Sequence, residues 1–239
     1  MQGLVEELDR RLASLGPTDE HHGAFLATYR RTTQAVAAAQ ARGLFEDPAW
    51  VQRWTVTFGR YYLGAHDAEV AGRMPPRPWR LAFSVAPDAH PLAHLLVGMN
   101  AHINYDLPQA MLEVISPTDF DDPELLRRRV RDHERVNGVL AARVAAEDGE
   151  LSGPRRLVDR LLTPVNRSSS RRFLAEARAK VWDNVGALHE ARSAGAEAYR
   201  ARLAELEVLS AAKVADLLRP GQVLLRLAVT GFGVRLPPP

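Results

Sequence analysis

The chain has 239 residues, 46% of them hydrophobic, enough to bury a large core. Its formal net charge is +2, with basic residues scattered among acids, so it carries no evident nucleic-acid footprint. Zero cysteines exclude disulfides, thiolate nucleophiles and cysteine-based metal clusters.

In chain order, Leu4, Leu8, Leu12 and Leu15 form a first apolar stripe, closed by Gly16-Pro17. Acids at Glu6 and Glu7 stand where a secretory leader would be apolar, so the expected location is the cytoplasm. Thr18 and Asp19 are expected to cap a second helix through Phe25, Tyr29 and Val36 to Gly43. Asp47-Pro48 is a strong helix start, and Trp50, Trp54, Phe58, Tyr62 and His66 then step by four. Pro75-Pro76-Arg77-Pro78 forces an extended connection before a short helix carrying Trp79 and Phe83.

A central helix is expected from about Pro91 to Ile115. Asp122-Pro123 opens a long helix to about Glu147, and a short one is expected over Arg155 to Leu162. Thr163 to Ser170 reads as linker, and helices are expected over Arg171 to Arg192 and Ala196 to Leu218. The apolar tail from Gln222 to Arg235 fits helix or strand equally. The expected fold is one all-α domain over residues 1–239, a bundle of about eight helices, with 219–239 as a tail. No apolar run approaches the roughly 20 residues of a membrane span.

The central helix carries the chemistry. Leu95, Met99, Ile103, Leu107, Ala110 and Val114 share one face at about 100° per residue. His102 and Asp106 occupy one shoulder of that face, with His94 further round on the same side. Asn100 and Asn104 occupy the other. Burying these groups costs free energy unless each is paired or binds something. Pro108 lacks an amide hydrogen and crowds the carbonyl of Asn104, so a bend is expected there.

A His–Asp pair one turn apart has three uses: two ligands of a divalent metal such as zinc, an oriented general base, or a structural pair. A metal centre would draw on His94, His102, Asp106, Asp67 and Asp132 converging on one point. Asn100, Asn104, Asn137 and Trp79 are the candidate substrate contacts, with His102 and Asp106 catalytic. The aromatic ridge reads as core, with lining of an apolar pocket as the alternative. Asp119-Phe-Asp-Asp122 is similar to the acidic magnesium motif of terpene synthases, but helix capping accounts for it. His189-Glu190 lacks the second histidine of a zincin, and Gly231-Phe-Gly233 lacks a phosphate-loop context.

Phe45-Glu-Asp-Pro-Ala-Trp50, Tyr62-Leu-Gly-Ala-His-Asp67, Pro78-Trp79-Arg-Leu-Ala-Phe83 and His94-Leu-Leu-Val-Gly-Met-Asn-Ala-His-Ile-Asn-Tyr-Asp-Leu107 occur together here. With Arg135-Val-Asn137 and Ala177-Arg-Ala-Lys-Val-Trp182, the set resembles an actinobacterial all-helical family of unknown function over about residues 44–190. The resemblance implies a helical fold and a shared site at Asp67, His94, Asn100, His102, Asn104, Asp106, Asp132 and Asn137, and no reaction. His66 and His133 depart from its apolar or aromatic pattern, which makes them weaker ligand candidates. The expected activity is an enzyme on a small, largely apolar metabolite, by metal-dependent hydrolysis or by metal-free cyclase or isomerase chemistry. The competing class is a ligand-binding or structural protein.

Overall fold

Two proline-flanked caps set the frame. In the computed structural model, Asp47 accepts the Trp50 amide at 2.8 Å and starts the helix at Pro48, and Asp122 accepts the amides of Glu124 and Leu125 at 3.0 Å to start the helix at Pro123. The structure describes residues 1–16, 23–89, 91–150, 176–219 and 230–238, with the backbone alone at 91–92, 141 and 143–150. The expected cap at Thr18 and Asp19, the short helix over 155–162 and the linker over 163–170 lie outside these residues.

The helices are α1 (Gln2–Ser14), α2 (Gly23–Ala41), α3 (Pro48–Val70), α4 (Arg77–Phe83), α5 (Pro91–Ala101), α6 (Leu107–Val114), α7 (Pro123–Glu150), α8 (residues 176–194) and α9 (Ala196–Leu218). A π-helical turn, His102–Asp106, joins α5 to α6, and a 3₁₀ turn, Pro117–Asp121, precedes α7. Among the described residues there is no strand, and the protein is an all-α bundle. None of its described helices is long and apolar enough to cross a membrane.

The main core joins Trp50, Trp54, Tyr62 and Trp79 of α3 and α4 to Leu107 and Met111 of α6 and to Val181 and Val185 of α8. Gly43 and Gly72 take positive φ, 73° and 65°, where helices α2 and α3 end, a conformation that penalises a Cβ. The central helix is buried from Asn100 to Leu112 on every side, more completely than its two shoulders suggested.

That helix is not continuous. Leu107 donates its amide to the His102 carbonyl, five residues back, which makes the turn a π-bulge. Pro108 in the first turn of α6 supplies the cause, since it cannot donate to Asn104. The expected bend therefore takes the form of one widened turn, and all five of its residues are buried.

Candidate functional site

The widened turn aligns side chains four residues apart more closely than an α-helix does. His102 Nδ1 and Asp106 Oδ2 meet at 2.8 Å, and Trp79 of α4 donates Nε1–H to the same oxygen at 2.8 Å. Two donors on one oxygen is the arrangement of a carboxylate. It puts the imidazole proton on Nδ1 and leaves Nε2 with a bare lone pair, and that atom is buried without a hydrogen-bond partner.

Around the imidazole stands an aromatic box. Phe58 stacks on it with ring centroids 3.5 Å apart and planes 5° from parallel. Tyr29 meets it edge-on at 4.9 Å, and Phe25, Tyr62 and Trp79 have centroids within 6.0 Å. The ridge on α3 is thus core and site wall together. Burial in this box pushes the His102 pKa down, opposed by Asp106, while the Arg178 cation lowers it further. Burial raises the Asp106 carboxyl, against the pull of His102 and Trp79. At neutral pH the ring is uncharged.

Beside the box lies a cavity of about 20 Å³, lined by Phe25, Tyr62, Trp79, Ala82, Phe83, His94 and Gly98. It has room for about one water. Gly98 is required there, because an added Cβ would stand 2.7 Å from Cδ2 of Phe25.

The five expected metal ligands do not assemble. Asp67 is tied to Arg11 by two bonds of 2.8 and 2.6 Å. Asp132 accepts the amides of Glu46 and Asp47, each at 2.8 Å, and Arg135 at 3.0 Å, clamping the loop before α3 onto α7. His94 lines the cavity. Among the described residues no three of His, Asp and Glu stand where they could hold one metal ion. Of the five residues expected to bind metal, His94, His102, Asp106, Asp67 and Asp132, both outlying carboxylates already hold cationic or amide partners. Among the described residues no donor set fits a zinc ion.

Asn100 and Asn104 meet the chain's own backbone, and Asn100 Oδ1 stays buried without a partner. Both donate Nδ2–H to the Phe232 carbonyl, at 2.9 and 3.0 Å, and Asn104 Oδ1 accepts the Val234 amide at 2.9 Å. Asn184 continues the pattern, donating to Val234 O at 3.0 Å and accepting from Leu236 N at 2.8 Å. These amides grip alternate residues of the chain's own C-terminal segment, which is neither helix nor strand there. Trp79 orients Asp106, and Asn137 keeps a buried Oδ1 without a partner.

Sequence reasoning ranked His133 only as a weaker ligand candidate and passed over Arg178. His133 on α7 is buried between Trp54 and Trp182, with ring centroids at 5.3 and 5.8 Å. Arg178 on α8 is only 4% exposed, and its Nε and Nη1 have no partner. The signal was present in Ala177-Arg-Ala-Lys-Val-Trp182, where an arginine sits between two small residues one turn from a tryptophan.

The model of a family of unknown function, DUF5995, matches residues 1–220. No curated protein and no solved structure matches the chain. The protein belongs to that family, and the match extends well beyond the span over which the motifs suggested a resemblance.

Proposed function

We propose that the protein is an enzyme that moves a proton on a small, largely apolar molecule, with His102 as the base. One observation carries this reading: a neutral imidazole, held by Asp106 through Nδ1, keeps an unpartnered Nε2 inside a wall of aromatic rings. Asp106 fixes the tautomer and stabilises the imidazolium once the proton arrives, and Trp79 holds Asp106 in place. The aromatic box supplies apolar contact and excludes water, which strengthens the His–Asp interaction. Isomerase or cyclase chemistry fits this arrangement. The hydrolase version needs a metal, and among the described residues its expected donors do not converge. The same reading takes Gly98–Leu107 as the family's signature segment and an actinobacterial source as the setting, from the Ala- and Arg-rich composition.

A second reading is favoured by the cavity, about 20 Å³. A ligand larger than one water enters only if Phe25 or Phe83 swings aside, and without that motion the cluster is a structural network. Metabolite profiling of a cell extract incubated with the purified protein separates the two. An enzyme depletes at least one small-molecule chromatographic peak and raises another, at the same mass for an isomerisation or cyclisation, and His102→Gln and Asp106→Asn, folded by circular dichroism, leave the peaks unchanged. Identical profiles for all three proteins would refute the catalytic reading.

A further inference from the structure

Of the buried polar side chains that the His102–Asp106 pair leaves unexplained, His133 and Asn137 lie on α7 and Arg178 on α8. Phe120, just before α7, stacks on His189 of α8 at 3.7 Å, while His133 further along α7 meets Trp182 earlier in α8. The two helices are therefore antiparallel along this face. Asn137 is one turn beyond His133 and Arg178 one turn before Trp182, so the two share the same level of the packed pair. No hydrogen bond joins them, although Asn137 Oδ1 and Arg178 Nε and Nη1 are all buried without a partner.

The tautomer of His133 is set by its neighbour. Trp182 donates Nε1–H to His133 Nδ1 at 3.2 Å, and an indole nitrogen can only donate. A neutral His133 then carries its proton on Nε2, and that donor is also buried with no acceptor. Burial, reinforced by the Arg178 cation, holds His133 well below the ordinary histidine pKa, so the ring is neutral. Burial pushes Arg178 down to about 9, which leaves it charged at neutral pH, and among the described residues no acid contributes to its environment. A buried cation without a counter-ion is among the costliest arrangements a fold can hold.

Three orphaned donors therefore point to an acceptor that the described residues do not supply: Nε and Nη1 of Arg178 and Nε2 of His133. The Arg178 guanidinium also acts electrostatically on His102, so the donor group and the candidate base belong to one neighbourhood. Trp54 and Phe58, one turn apart on α3, tie them together, since His133 packs on Trp54 and His102 on Phe58.

We infer that Arg178 and His133 form an oxyanion-binding site, and that the small apolar ligand of this protein carries a carboxylate. Guanidinium and imidazole N–H donors match a carboxylate in charge and in hydrogen-bond sense, and Asn137 can turn its amide nitrogen toward the second oxygen. As a substrate assignment this rests on the proposed role of His102, whereas the anion site itself does not. A carboxylate anchored at Arg178 would leave the apolar part of the ligand to the aromatic box.

The test uses the full chain with sodium butyrate as probe and n-butanol as its uncharged counterpart. Butyrate is expected to move the Arg178 Nε–H signal in ¹⁵N NMR and to raise the thermal midpoint, and butanol to do neither. Arg178→Lys keeps the charge and loses the planar fork, and should bind butyrate about tenfold more weakly, a loss of about 1.4 kcal/mol. An Arg178 signal unmoved by butyrate, or a response equal to that of butanol, would overturn the anion site. Butyrate binding without any metabolite change would sustain that site and refute the base.

Discussion

His102 and Asp106 face one another at 2.8 Å within a single π-helical turn, and both are buried. The contact depends on a third side chain, because Trp79 donates to the same carboxylate oxygen. Trp79→Phe keeps the ring and removes the donor, and should cost roughly 1.5–3 kcal/mol, as expected for a buried bond to a charged acceptor. Urea unfolding measures it. A loss under half a kcal/mol would mean that the indole proton does not hold Asp106.

Stability should fall as the solution is acidified. The pKa values of His102 and His133 are depressed in the folded state by burial, so the unfolded chain takes up protons first. Their contribution is fully present above 6.5, the unfolded value, and is lost as pH drops below it toward the folded values. Asp106 acts in the opposite sense at lower pH, because its raised carboxyl favours the folded state there. Thermal midpoints from pH 7.5 to 5 should decline for the wild type and decline less for His133→Gln. A flat wild-type profile would contradict the neutral, buried assignment of both rings.

Asp132 and Asp67 should separate cleanly. Asp132→Ala strips acceptors from two backbone amides and from Arg135, and should cost roughly 2–4 kcal/mol. Asp67→Ala breaks an ion pair whose carboxylate is 45% exposed, and should cost about 0–1 kcal/mol. Chemical denaturation of the two variants checks the order, and a reversal would restore Asp67 as the residue with the deeper role.

Ending the chain at Val229 removes the segment gripped by Asn104 and Asn184 and uncovers the core around Phe232 and Leu236. The truncated protein should unfold at lower temperature, and amides of α5 and α8 should exchange faster by hydrogen–deuterium mass spectrometry. Asn184→Ala should do the same in part, at roughly 1–3 kcal/mol. Unchanged exchange in both would mean that the tail contributes nothing to the bundle.

The helices and their starts were legible because their causes are local. Asp47-Pro48 and Asp122-Pro123 cap the helices they precede, and the step of four from Trp50 to Tyr62 is a buried ridge. The pairing of His102 with Asp106 was legible for the same reason, one turn apart on one helix. The bulge was foreshadowed by Pro108, though not its π form, which depends on how the displaced carbonyls find new amides.

The partners of the asparagines and of the outlying acids were not legible. Asn104 meets Val234 across 130 residues, and Asp132 meets Glu46 across 86. Periodicity places a side chain on a face and says nothing about which distant backbone will fill it. Arg178 escaped notice because an arginine in an Ala- and Arg-rich helix looks like surface, and only burial in the folded bundle denies it water.

The order of residues alone therefore settled an all-helical bundle and a polar turn at its centre, because capping and amphipathic spacing act over a few residues. Folding in three dimensions decided that the metal donors disperse, that the asparagines hold the tail, and that an arginine lies buried near His102. Those outcomes turn on contacts between segments far apart in the chain, where burial removes water and leaves each polar group whatever neighbour the packing supplies.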